Sequence, residues 1–212
     1  MSLSGLIRSR CNLKIAGFVL ALAELLMLPG CWVTSINPLY EDVTPKDSDI
    51  VFENILIGSW TFTDDKCTTI LTITAKDEVY DLRSVQGKEC NDPEEKSHRQ
   101  ARLVKLDTYH FLDISPMSGD VCDMCLALHW IFLTKFDKDT LALTPIEWEG
   151  LKKLLRAGVV DLKTLPEDPK PRIIEGPTTL TALTKDLKRF CRRFAADKTV
   201  FRPDSTIMFK RT

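Results

Sequence analysis

The chain has 212 residues, 28% of them charged, and its 29 Lys and Arg against 30 Asp and Glu leave a formal net charge of −1 at pH 7. That length supports one substantial core, and so even a charge balance supplies no electrostatic pull toward nucleic acid.

The first thirty residues carry basic Arg8, Arg10 and Lys14, then an apolar run from Ile15 to Met27 interrupted by Glu24, then Leu28-Pro29-Gly30-Cys31. The run is far shorter than the roughly 20 residues of a spanning helix and has the length of a signal-peptide core. Cleavage between Gly30 and Cys31 removes residues 1–30, including three basic and one acidic residue, so 182 residues remain and the net charge of −1 becomes −3.

Leu28-Pro29-Gly30-Cys31 resembles the lipobox of bacterial lipoproteins, matching it at Leu28, Gly30 and Cys31 and departing from it at Pro29. The resemblance implies that Cys31 is the first mature residue and carries diacylglycerol and an acyl group such as palmitate, two or three chains being enough for stable anchoring. It further implies a cell-envelope location, with Trp32 in place of an Asp after the cysteine favouring the outer membrane, facing the periplasm, in a Gram-negative cell. The alternatives are an ordinary cleaved signal peptide and an uncleaved anchor with an incidental cysteine.

Residues 31–50, with Pro38, Pro45 and the polar run Glu41 to Asp49, read as the lipidated cysteine and a tether, although Ile36, Pro38, Leu39 and Tyr40 could dock on the body. Residues 51–212 then form a single β-rich domain. Cys67, Thr69, Leu71 and Ile73 share one face of a strand in which Thr68, Thr72 and Thr74 take the other. Similar segments run through Ser59–Thr63, Val79–Val85, Arg99–Leu106, His110–Ser115, Leu126–Phe136 and Thr140–Ile146. Tight turns are expected at Asp64-Asp65, Ala75-Lys76-Asp77, Asp107-Thr108 and Asp137-Lys138-Asp139. Leu126 to Leu133 is apolar on both faces, so this strand is expected to lie centrally with one face beneath a helix.

Two helices are expected, near 147–157 and 185–196. Trp148, Leu151, Leu154 and Leu155 recur at helical spacing before Gly158, a suitable stop. Thr184 is expected to cap the second, whose stripe is Leu187, Phe190, Cys191 and Phe194, with Lys188, Arg189, Arg192 and Arg193 mostly outside it. Residues 165–177, with four prolines, make an irregular connection, and Thr178–Ala182 and Ile207–Lys210 supply further strands. The class is therefore mainly β with an α component.

Gly58-Ser59-Trp60, preceded by Ile55-Leu56-Ile57 and followed by Thr61-Phe62-Thr63, resembles the Gly-X-Trp entry to the first strand of lipocalin-like, calycin-type proteins. Asn37-Pro38-Leu39-Tyr40 through Phe52 to Trp60 is also similar to the start of uncharacterised bacterial lipoproteins with such a domain. The resemblance implies an antiparallel barrel in which Gly58 lets the chain turn across the floor and Trp60 seals the closed end. A strongly curved open sheet carrying the two helices is the rival architecture. Small barrels either fill with side chains or hold one small ligand; Trp60, Trp130 and Phe132 are expected in the core, and a pocket with apolar walls would favour a lipid.

The domain retains Cys67, Cys90, Cys122, Cys125 and Cys191, an odd number. Exported compartments oxidise thiols, so Cys67 with Cys90 and Cys122 with Cys125 are possible disulfides, which leaves Cys191 as a buried thiol. Cys122 and Cys125 also permit redox chemistry or, with His129, half of a metal site. His98 and His110 lack ligand spacing. No Gly-X-Ser-X-Gly turn, Gly-rich phosphate loop or His-Glu-X-X-His helix is present, so no residue recommends itself as catalytic and no cofactor is expected. The expected function is a membrane-anchored envelope lipoprotein binding a small hydrophobic molecule. The alternatives are a structural or interaction role with envelope proteins and, third, thiol or metal chemistry at Cys122 and Cys125.

Overall fold

The computed structural model describes residues 33–41, 49–64, 67–87, 90, 96–117, 127–164 and 178–212. Gly30, Cys31, Cys122 and Cys125 lie outside them. In chain order the strands are β1 (Val33–Ser35), β2 (Ile50–Val51), β3 (Gly58–Asp64), β4 (Cys67–Lys76), β5 (Val79–Gln86), β6 (Lys96–Leu106), β7 (Tyr109–Pro116), β8 (His129–Phe136), β9 (Thr140–Pro145), β10 (Thr178–Leu180) and β11 (Ile207–Arg211). The helices are α1 (Trp148–Arg156) and α2 (Thr184–Phe194).

Period-two alternation sets which side chains face inward, and short turns set the register. Between β4 and β5 the chain reverses through Asp77 and Glu78, both at positive φ, which keeps Lys76 opposite Val79. Asp107, at φ 57°, does the same between β6 and β7. Between β8 and β9, Asp137 Oδ1 accepts hydrogen bonds from the Asp139 and Thr140 amides at 2.8 and 2.7 Å, and these bonds hold its carboxyl below the ordinary range.

Strands β3 to β9 run as an antiparallel meander, and β11 closes it by pairing with β3 on one side and β9 on the other. The result is the expected barrel, a closed one of eight strands, with three outer strands and two helices. Closure removes the free edges that an open sheet would present. The outer strands use edges the barrel leaves over. The start of β8, at His129 and Trp130, pairs with β1, whereas Phe132 to Phe136 pair with β9. β2 takes Leu103 and Val104 of β6, beyond the reach of β5.

The core has two layers. One fills the barrel around Trp60, Leu71, Tyr80, Phe132 and Phe209. The other lies outside it, where α1 and α2 cover the outward residues Val104, Phe111, Ile131 and Leu133. Strand β8 thus has Trp130 and Phe132 inside and Ile131 and Leu133 beneath the helices, as its two apolar faces require. Among the described residues no helix is long and apolar enough to cross a membrane.

Part of the expected tether is body. Val33, Thr34, Ser35, Leu39 and Tyr40 are buried, β1 lies parallel to β10, and the Ile36 amide donates to Leu180 O. Two helix expectations also change. Thr184 is the first helical residue and makes no cap; its hydroxyl donates to Pro38 O at 2.8 Å because residues 36–40 pack against that helix end. Lys188 is buried, its ammonium 3.0 Å from Asp49, because α2 crosses the sheet where Asp49 leads into β2.

Cys67 and Cys90 form a disulfide that closes a 23-residue separation beside the β5–β6 connection. In the chain-entropy account a loop of that size is worth about 3 kcal/mol. The double variant Cys67→Ser/Cys90→Ser is therefore expected to unfold at clearly lower denaturant than the oxidised chain, and to match the chain under reductant.

Candidate functional site

The barrel floor is built by Gly58, Trp60 and a residue near the chain's end. Trp60 is fully buried and its indole N–H donates to Leu56 O at 2.9 Å, across the 3-10 turn Asn54–Leu56 that brings the chain under the barrel. The Arg211 guanidinium lies 4.2 Å from the Trp60 ring centroid. It donates to Ile57 O at 3.1 Å, to Ile55 O, and through Nε to Lys138 O at 2.7 Å. One side chain thus clips together the entry turn, the β8–β9 turn and the last strand, a task suited to the planar five-donor fork of arginine. Nothing local in Phe209-Lys210-Arg211 announces this role, because both halves of the contact lie some 150 residues apart.

Gly58 sits at φ +142°, and a Cβ there would meet Arg211 Nη1 at 2.6 Å. Gly58→Ala is expected to cost about 1–3 kcal/mol through backbone strain and displacement of the guanidinium. Thermal unfolding checks this; a loss no greater than that of an exposed surface alanine would count against the floor described here.

Above the floor lie fully buried apolar side chains. Tyr80, Leu103, Leu141 and Phe209 have no accessible surface, so no water-sized void touches them. Burial raises the Tyr80 phenol's pKa, and its hydroxyl donates to Glu53 O at 3.3 Å. Toward the other end the inward side chains turn polar: Thr69, Ser84 and Gln86 are buried, and Ser84 and Ser97 hydroxyls lie 2.7 Å apart. Arg99 follows on the same face, opposite Leu82 in register.

Beneath the helices Asp113 and His129 form a buried hydrogen-bonded pair. Asp113, 1% exposed on the outer face of β7, accepts from the Leu39 amide at 2.6 Å and sits 2.7 Å from His129 Nδ1. The Tyr40 ring meets His129 edge-on at 6.3 Å, and the Arg102 guanidinium stacks 5.2 Å from the same tyrosine. The carboxylate therefore pins the N-terminal segment to the barrel. The sequence signal was available in Phe111-Leu112-Asp113-Ile114, where an acid interrupts an apolar strand.

A groove of about 560 Å³ opens on the helix side, between α2 and residues 159–163. Leu162, Ala182, Phe190 and Phe194 form its buried floor. Val159 and Leu183 stand at its rim, 38% and 57% exposed. Arg189, held 3.2 Å from Asp186, and Arg193, donating to Val159 O at 3.2 Å, flank it together with Lys163 and Asp161. Its volume is that of small-molecule sites, and its floor is apolar with a few fixed polar groups at the edge. The alternating sequence signal could place α2 on the sheet but not the gap beside it.

The histidines and the remaining described cysteine do not come together. His129 is engaged by Asp113, and His98 pairs with Asp81 at 2.9 Å. His110 packs on Phe136 with ring centroids 5.2 Å apart. Cys191 is a buried free thiol whose pKa burial pushes far up, which makes it inert as a nucleophile. Among the described residues no group of three His, Cys, Asp or Glu could hold a metal ion. Comparisons of the chain with protein-family models, with curated proteins and with solved structures return no match.

Proposed function

We propose that this chain is a lipid-anchored envelope protein of the lipocalin-like kind, acylated at Cys31, that binds a small hydrophobic molecule in the groove beside α2. The observation that carries this is the groove of about 560 Å³ on the helix side, whose floor of Leu162, Ala182, Phe190 and Phe194 is buried and apolar beneath a mixed polar rim. The barrel then serves as a rigid support for the site, which suits binding because the walls are prepositioned.

A titration of the protein with a fluorescent fatty acid tests the site. Saturable binding is expected in the parent chain and a loss of at least about tenfold in affinity in Thr181→Trp, which fills the groove from a half-buried lining position. Unchanged binding in that variant would move the ligand elsewhere, and no saturable binding in the folded parent would leave the ligand-free interaction role. That second role has its own support in Ile70 and Val85, which lie opposite each other on β4 and β5 and are 42% and 40% exposed. It predicts that Ile70→Lys disrupts a defined envelope complex while leaving groove binding intact.

A further inference from the structure

The beginning of the described chain and the groove belong to one small piece of sheet. Val33 lies opposite Thr178 and Ser35 opposite Leu180, and the chain leaving β10 becomes the groove wall at Thr181, Ala182 and Leu183. Cys31 stands two residues before Val33. Counting about 3.5 Å per residue along Cys31–Val33 and Thr178–Leu183, with one interstrand step between, Leu183 can lie no farther than about 30 Å from Cys31. A tether of the expected length would have set no such limit. Docking of residues 33–41 removes it.

The groove face also has the chemistry of a bilayer interface. Leu183 and Val159 are large apolar side chains left in solvent at its rim, and in its lining Lys163, Arg189 and Arg193 outnumber Asp161 and Asp186 by one. This local excess of positive charge sits on a mature chain of net charge −3. Apolar side chains ringed by long basic ones suit insertion just below anionic headgroups, with the basic heads remaining at headgroup level.

We propose that the groove faces the membrane that holds the anchor and takes an anionic phospholipid of that membrane as its ligand. The acyl region meets Leu183, Val159 and the Phe190–Phe194 floor, while the phosphate meets Arg189 and Arg193. The geometry rests on acylation of Cys31, and the ligand class deepens the hydrophobic-ligand function proposed above.

The test uses the full protein purified from membranes, its acylation at Cys31 checked by intact mass, and reconstituted in vesicles of phosphatidylethanolamine alone or mixed equally with phosphatidylglycerol. Amide exchange in residues 159–163 and 181–189 is expected to slow at least about fivefold on the anionic vesicles, the factor that one basic residue contributes at such a surface. Leu183→Glu combined with Arg189→Gln should abolish that slowing with an unchanged thermal midpoint, since both side chains are exposed. Equal exchange on both vesicles by an acylated chain overturns the proposal, even if the groove still binds a soluble fatty acid. Slowing that requires an added envelope protein overturns it in favour of a protein interface. An unacylated chain that is still protected on anionic vesicles ends the anchor and keeps the lipid site; an unacylated, unprotected chain ends both.

Discussion

Asp113→Ala is expected to destabilise the protein by about 2–5 kcal/mol, since each buried donor left without its acceptor costs about 1–3 kcal/mol. Two groups lose their acceptor at once: the Leu39 amide, now 2.6 Å from Oδ2, and the His129 ring, 2.7 Å from Oδ1. Neither can turn to water, because residues 36–40 and the helices close over them. Asp113→Asn keeps an oxygen for Leu39 and an amide able to donate to a neutral His129, so it should lose less than half as much. Urea unfolding gives the magnitudes. Amide exchange at residues 33–41 gives the location, since release of that segment should precede global unfolding in the alanine variant alone. Equal losses for alanine and asparagine would show that the pair is not what fastens the segment.

Trp60→Ala is expected to cost a similar amount, about 3–5 kcal/mol, as for other large-to-small changes at fully buried aromatic positions. Three contributions are lost together: the packed ring, its hydrogen bond to Leu56 O, and the face on which Arg211 rests at 4.2 Å. Trp60→Phe retains most of the volume and a ring for the guanidinium but not the N–H, so a loss of about 1–2 kcal/mol is expected. Near-ultraviolet circular dichroism and chemical denaturation separate the cases. An alanine variant as stable as the phenylalanine one would mean that the floor is not sealed by this ring.

Much of the barrel could be read from alternation because strands such as β4 and β5 have one apolar face and lie beside short turns. Cys67, Thr69, Leu71 and Ile73 point inward as their spacing required. Trp60 of the Gly58-Ser59-Trp60 motif is fully buried, and the Arg211 guanidinium that lies on its ring comes from some 150 residues away, beyond any local pattern. Closure was undecidable for the same reason: it rests on Phe209 finding Leu141 and Lys210 finding Thr61, which no local pattern encodes. Strands β1 and β2 are too short for periodicity to register, and their existence follows from spare edges on β8 and β6. Lys188 shows the limit of helical wheels, since a lysine bordering the apolar stripe became buried once Asp49 lay over it. The groove is a gap between elements, legible only after they are assembled. Cys31, Cys122 and Cys125, on which the anchor and the thiol or metal chemistry turn, fall outside the described residues.

The parallel pairing of β1 with β10 has a consequence for the order of events as the chain is made. Thr34 hydrogen-bonds to Thr179, 145 residues later, so the first strand to emerge is among the last able to find its place. Until Thr178–Leu180 appears, the segment beginning at Val33 has neither its parallel neighbour nor the helix end that Thr184 fastens to Pro38. Closing so long a loop is slow and entropically costly. The segment beginning at Val33 therefore stays undocked for as long as the rest of the chain takes to arrive, and under the acylation proposed for Cys31 its late docking is the step that sets the finished domain close to the anchor.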